Sequence, residues 1–177
     1  MNNYKFRRGI TDLQIDQLVQ YSKIDPAVLK FTADPIRFKD KKSAAKWLTG
    51  VTPFTLSDDK VNLVGITWFH EKPLPKREFT EEINSSDFYL TFAIRLYGKA
   101  RGKGLSFEFM KKSLDKFMDS RRSLPRTLIR GGNDKNGVWV ETSFDNYPTI
   151  KLSEKFGFRK VSEPDEKGKI IMIRTLL

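Results

Sequence analysis

The chain has 177 residues and carries 33 Lys and Arg against 22 Asp and Glu, a formal charge of +11, with no cysteine and one histidine. Without cysteine there are no disulfides, thiolate metal sites or cysteine nucleophiles, and a Ser-His-Asp triad or a zinc site would depend on His70, which no HExxH-type spacing surrounds. The length fits one domain, 1–177, with a core that needs no staples. No apolar run approaches a membrane span and no signal-peptide core is present, which together point to the cytoplasm.

The excess charge favours anionic partners, and three compete: nucleic acid, an acidic protein or ribosomal surface, and a polyphosphate cofactor. The cations are scattered, at Lys39, Lys41 and Lys42, Lys111 and Lys112, Arg121 and Arg122, and Lys151. No long basic arm appears, so a solvated basic surface accounts for them and nucleic acid is not expected as a partner.

In chain order, Tyr4 to Arg8 alternates as a short strand. Thr11 and Gln14 form a capping box, Ile10 and Ile15 are spaced as a hydrophobic staple, and Leu18 and Val19 continue the buried stripe of a first helix. Asp25 to Lys39 reads as irregular, broken by Pro26 and Pro35. A second helix spans about Asp40 to Thr49, with Ala44, Trp47 and Leu48 inward and Gly50 as its stop. Pro53 to Leu56 and Val61 to Phe69 make a hairpin around Ser57 to Lys60. The second strand is apolar on both faces and therefore central. Glu71 to Asp87 is a long, polar, proline-bearing loop, a length that goes with function or mobility.

Leu90 to Leu96 is an apolar strand. It runs into a basic glycine turn, Arg101-Gly102-Lys103-Gly104, and then into a helix whose stripe is Phe107, Met110, Leu114 and Phe117. A strand feeding a glycine turn and a helix presents free N–H groups and the positive end of a helix dipole, which suits a phosphate. A Walker A run is absent, and the dinucleotide fingerprint lacks its third glycine, where Phe107 stands.

Ser120 to Lys135 has no clear assignment. Gly137 to Phe144 is a strand. Asn146 and Pro148 open a helix with Thr149, Leu152 and Phe156 inward and Gly157 as its C-terminal cap. Phe158 to Val161 and Lys169 to Thr175 are closing strands around a Pro164 to Gly168 turn. The sum is an α/β arrangement: a single mixed, mostly antiparallel sheet flanked by helices. The Trp residues read as structural, His70 as structural or exposed, and Glu81-Glu82 as a solvated loop pair.

The run K-A-R-G-K-G-L resembles the acyl-CoA turn R/Q-x-x-G-x-G/A of the GCN5-related N-acetyltransferases (GNAT), with Lys99 in the place of the usual Arg or Gln. A second block, VWVETSFDNYPTIKLSEKFGF, resembles W-L-E-x-x-x-x-N-x-x-A-x-x-L-Y-E-K-x-G-F of the same family through Trp139, Glu141, Asn146, Ile150, Leu152, Glu154, Lys155, Gly157 and Phe158. The two blocks cover about Leu90 to Phe158, in the family's order.

The resemblance implies the acyl-CoA N-acyltransferase fold and acetyl-CoA as co-substrate, lying in a V-shaped opening between the Leu90 and Trp139 strands. Backbone groups near Leu96 would pair with the pantetheine. The amides of Arg101, Gly102, Lys103, Gly104 and Leu105 would hold the pyrophosphate, the glycines allowing close approach because they lack a Cβ. Asn146 would line the same cofactor site. The side chains of Arg101 and Lys103 would add long-range attraction only.

The implied reaction is direct transfer of an acetyl group to a primary amine of a small molecule or protein. An alkyl ammonium with a pKa of about 10 must lose a proton first. Glu141 matches the glutamate that serves as base, through water, in ribosomal-protein acetyltransferases of the family. The family's tyrosine, which protonates the leaving thiolate, is Ser153 here. That leaves a water on Ser153, Tyr147 or Tyr97 to take its place, or a thiolate leaving unaided. The alternative is a non-catalytic acyl-CoA-binding or sensor module of the same fold. The acceptor, the acyl chain and the oligomeric state stay open, a homodimer included.

Overall fold

A computed structural model describes residues 4–122 and 137–176. The element order is β1 (Lys5–Arg8), α1 (Asp12–Ile24), α2 (Pro26–Phe31), α3 (Asp34–Arg37), α4 (Lys41–Leu48), β2 (Thr52–Ser57), β3 (Leu63–Glu71), β4 (Phe88–Leu96), α5 (Leu105–Arg122), β5 (Gly137–Ser143), α6 (Tyr147–Lys155), β6 (Arg159–Lys160) and β7 (Lys169–Thr175). Seven strands form one sheet in the order β1-β2-β3-β4-β5-β7-β6. Pairing is antiparallel for β1/β2, β2/β3, β5/β7 and β6/β7, and parallel for β4/β5, from Phe88↔Gly137 to Thr91↔Trp139. The mixed, mostly antiparallel sheet expected from the sequence is therefore present. The unassigned stretch after Ser120 lies, from residue 123 to residue 136, outside the described residues.

The chain divides into two compact units: Met1–Phe69 with Ala93–Phe117, and His70–Phe92 with Met118–Leu177. In the first, the capping box forms as read: Gln14 N–H donates to Thr11 Oγ1 at 3.3 Å and Thr11 N–H to Gln14 Oε1 at 3.1 Å. Such a cap is worth about 1 kcal/mol. Ile15 and Leu18 carry α1 onto a core with Val28, Phe38, Ala44, Leu48, Ile66 and Trp68, against which Trp47 also packs. The next residue of β3 points the other way, as strand alternation requires, and Phe69 stacks on Phe117 of α5 at 4.5 Å. β3 is thus apolar on both faces and central.

Two readings of this unit need correcting. Pro26 and Pro35 do not break the segment; they start α2 and α3, because a proline in the first helical turn gives up an N–H that had no partner anyway. Asp25 completes the signal, accepting from the N–H groups of Ala27 and Val28, both at 3.1 Å. In α5 the fully buried aromatic is Phe109, with Met110, Ser113, Leu114 and Phe117, while Phe107 is half-buried. The stripe turns by a residue because Phe109 meets Phe6 of β1 edge-on at 6.1 Å.

In the second unit, Trp139, Ile171 and Ile173 build a core with Leu74, Phe88 and Val161. Glu71 to Asp87 is not a free loop. Lys72 N–H donates to Tyr89 O at 3.1 Å, Leu74 N–H to Phe88 O at 3.0 Å and Thr80 N–H to Val161 O at 2.9 Å. Leu74 is buried, Phe79 and Ile83 pack on the core, Trp139 Nε1–H donates to Lys72 O at 2.9 Å, and Glu81 pairs with Arg159 at 2.6 Å. Apolar anchors every few residues tie the segment down as a strap. The inward residues of the last helix also differ: Ser153 and Phe156 are buried, Thr149 and Leu152 half-buried.

Candidate functional site

The first group of expected site residues lies in the first unit. β4 ends at Leu96, and Tyr97 N–H still reaches Val64 O at 2.9 Å, holding the exit of the strand to β3. Gly65 makes this possible: a Cβ there would come within 2.7 Å of the Leu96 side chain and 3.2 Å of Arg95 O. One 3-10 turn, Gly98–Ala100, follows, and then Arg101, Gly102, Lys103 and Gly104, all four exposed, lead into α5 at Leu105. Gly102 and Gly104 have φ of 73° and 69°. The left-handed region costs an L-residue roughly 1–2 kcal/mol.

A Cβ at either glycine would meet nothing within 4 Å, so backbone conformation, not crowding, demands glycine here. The first N–H groups of α5 have no intrahelical acceptor and open onto this exposed turn. Successive backbone N–H groups in a turn of this kind form an anion-binding concavity.

Arg101 does more than attract at long range. Its Nη2 pairs with Asp25 Oδ1 at 2.6 Å, and Asp25, 7 % exposed, already caps α2. One carboxylate therefore ties the turn to a helix start. Lys103 Nζ donates to Tyr4 Oη at 3.2 Å. A cavity of about 890 Å³ borders the turn, with Tyr21, Asp58, Tyr97, Gly98 and Lys103 among its walls.

Tyr97, weighed as a proton donor, is 1 % exposed, and its ring stacks on Tyr21 at 4.2 Å. Its hydroxyl is buried, without a hydrogen-bond partner among the described residues. Burial above all pushes this phenol well above its ordinary value, making it a poor acid.

The same unit contains a buried ionic cluster that sequence reasoning missed. Asp34, 1 % exposed, accepts from Arg95 Nε at 2.9 Å and from Arg37 Nη1 at 2.7 Å. Arg37 lies 4.9 Å from the Trp47 ring, and Arg95 5.1 Å from the Trp68 ring. Burial, ahead of any charge, lowers the Arg37 pKa. An aspartate before a proline gives no sign of this partnership, since Arg95 lies 61 residues on.

The second group lies in the other unit. Trp139, Glu141 and Ser143 share one face of β5, and Glu141 is the exposed residue of a strand otherwise buried or half-buried. It stands opposite Ile171 of β7. Glu141 Oε2 is 3.9 Å from Arg77 Nη2, on the strap. Asn146 is the N-terminal cap position of α6, but its side chain makes no capping hydrogen bond. Tyr147 begins α6 and is 64 % exposed. Ser153 is 2 % exposed. Among the described residues no hydrogen bond or ion pair joins Glu141 to Asn146, Tyr147 or Ser153, and no group of three His, Cys, Asp or Glu side chains could hold a metal ion.

Arg77 and Asp165 were not anticipated as neighbours of Glu141. They are 88 residues apart and meet only because the strap crosses the β6–β7 turn. Among the described residues no helix is long and apolar enough to cross a membrane.

No family profile and no curated protein matches the chain. Solved structures do. An N-acetyltransferase from Staphylococcus aureus Mu50 superposes with a TM-score of 0.69 at 15 % identity, over 99 % of this chain and 99 % of that one. yncA of Salmonella typhimurium, solved with acetyl-CoA as its cofactor, gives 0.69 at 16 % identity, over 99 % and 95 %. Aminoglycoside acetyltransferase AAC(6')-Ib, in complex with coenzyme A and kanamycin, gives 0.65 at 16 % identity, over 97 % and 94 %.

Proposed function

We propose that this chain, which has the fold of the GCN5-related N-acetyltransferases, is an acyl-CoA-dependent N-acetyltransferase that transfers the acetyl group of acetyl-CoA directly to a primary amine of a small molecule or protein. One observation carries the reading: the exposed Arg101–Gly104 turn, left-handed at both glycines, at the start of α5. Its amides suit a pyrophosphate. A dipole alone contributes about 0.3–1 kcal/mol at an exposed site, so several N–H bonds carry most of the grip. The exposed end of the turn leaves room for such a group, and Arg101 is already committed to Asp25, so the backbone rather than that side chain does the holding. Leu96 and Asn146 are the further cofactor contacts in this proposal.

Bound acetyl-CoA supplies an activated thioester carbonyl. The acceptor amine must reach it unprotonated, and in this reading Glu141 takes the proton through a water; that its carboxylate is the exposed charge of β5 supports the role. A bond then forms from the amine nitrogen to the carbonyl carbon as the carbon–sulfur bond breaks, and the thiolate leaves with the bonding pair. Ser153 is too buried, and Tyr97 too weak an acid, to favour either as the group that returns a proton; exposed Tyr147 or solvent can do so. The burial of Ser153 also favours the second reading, a non-catalytic acyl-CoA-binding module.

A thermal-shift titration with acetyl-CoA, followed by thiol release across a set of amines, separates the two. Acetyl-CoA raises the melting temperature on both readings, and sustained release of CoA with an amine is expected on the first alone. No shift at millimolar acetyl-CoA would sink both.

A further inference from the structure

Two charged residues beside Glu141 have no task in the reading above. Arg77 is 17 % exposed and makes several contacts with one guanidinium. Nη1 donates to Lys169 O at 2.9 Å and to Ser162 Oγ at 3.4 Å. Nη2 is hydrogen-bonded to Asp165 Oδ2, while Glu141 Oε2 stands back at 3.9 Å. The arrangement is one-sided: Asp165 has the direct bond, and Glu141 has attraction without one.

Asp165 is itself well held. Its Oδ1 accepts from the N–H groups of Lys169 at 2.7 Å and Lys167 at 3.0 Å. The bond from Lys169 first, with those from Lys167 and Arg77, keeps its carboxyl below the usual range and therefore ionised. Each carboxylate oxygen has one job, Oδ1 the turn and Oδ2 the guanidinium.

We propose that Asp165 is a positioning residue for the base: it binds and neutralises Arg77, holding the guanidinium off Glu141 so that the Glu141 carboxylate stays free for the acceptor's proton. The proposal rests on the reading of Glu141 as base. It assigns the β6–β7 turn a part in the chemistry that no residue pattern in the turn announces. Arg77 is the cation within ion-pair reach of Glu141 among the described residues, and Asp165 is the other carboxylate it reaches. Removing Asp165 therefore leaves Arg77 with Glu141 as its nearest counter-ion.

Asp165→Asn is close to an ideal probe. Its amide oxygen can keep both backbone bonds of the turn, while its NH2 meets the guanidinium donor to donor. In a crystal structure of this variant, Arg77 Nη2 should move to hydrogen-bonding distance of Glu141. Turnover with a working amine should fall about tenfold in kcat, with KM for acetyl-CoA unchanged, and Arg77→Gln placed on top of Asp165→Asn should recover most of the loss.

A merely structural Asp165 gives the opposite pattern, with the double variant no better than the single one; that result overturns the proposal. So does a crystal structure of Asp165→Asn in which Arg77 stays off Glu141, whether or not the protein turns over. Melting curves of both variants establish that each is folded. If Asp165→Asn is not, Asp165→Ser with and without Arg77→Gln repeats the comparison. Failure of the acyltransfer reading looks different: the wild-type chain releases no CoA with any amine, yet Arg77 still moves in the variant.

Discussion

The two compact units differ most in charge. The unit with the glycine turn carries 18 basic and 9 acidic residues, a net of +9, while the unit with Glu141 carries 15 and 13, a net of +2. Nearly all of the chain's excess charge therefore belongs to the unit proposed to hold a polyphosphate. The unit proposed to perform proton transfer is nearly neutral. The contrast fits two physical tasks. Attraction of an anion works over a Debye length and benefits from summed charge. A base must be ionised without being saturated, so its surroundings are balanced charge by charge, as Arg77 and Asp165 balance beside Glu141.

The largest expected effect tests the second unit. Glu141→Gln keeps the shape and removes the base, so kcat should fall by about 100-fold or more, the range for loss of a general base. The acetyl-CoA thermal shift should persist, since the turn is in the other unit. Turnover undiminished at neutral pH would strip Glu141 of the role and leave Asp165 with nothing to position.

The next effect tests the first unit. Gly102→Val and Gly104→Val each force a β-branched residue to φ near +70°. At roughly 1–2 kcal/mol per residue the turn should relax to another conformation. Acetyl-CoA affinity, read by calorimetry, should drop about tenfold for each, with the melting temperature of the free protein little changed. If both variants bind as well as wild type, the turn is not the phosphate site and the charge contrast loses its meaning.

Much of this division was legible in the sequence, though unevenly. The capping box at Thr11, the central strand β3 and the glycine turn all follow from patterns within a few residues, and each formed as read. The short helices α2 and α3 were missed because six and four residues are too few to show a period; the proline and the Asp25 cap were the available signals. What surrounds Glu141 was not legible. Arg77 reaches it from the sequence-distant strap and is held in turn by Asp165, and neither residue type in its local run suggests the meeting. Asp34 is the same case in the first unit: a surface-looking aspartate that is nearly fully buried between two arginines. Motif and period report local chemistry, whereas long-range charge pairing is a product of the fold.

The smallest effect belongs to Tyr97, where the first unit departs from its own rule of paired polar groups. Its hydroxyl is buried with no partner among the described residues, so it forfeits the hydrogen bond that water gives it in the unfolded chain. Tyr97→Phe removes that debt and keeps the ring that stacks on Tyr21. The variant should be equal to wild type or more stable by up to about 1 kcal/mol in urea at neutral pH. The difference should widen in base. Burial raises the folded-state pKa of the phenol above its unfolded value of about 10. Above that pH the unfolded chain releases the proton while the folded chain retains it, so wild-type stability falls as pH rises from about 10, and this contribution disappears in the variant. A Tyr97→Phe protein less stable than wild type at neutral pH would mean that the hydroxyl has a partner in solution.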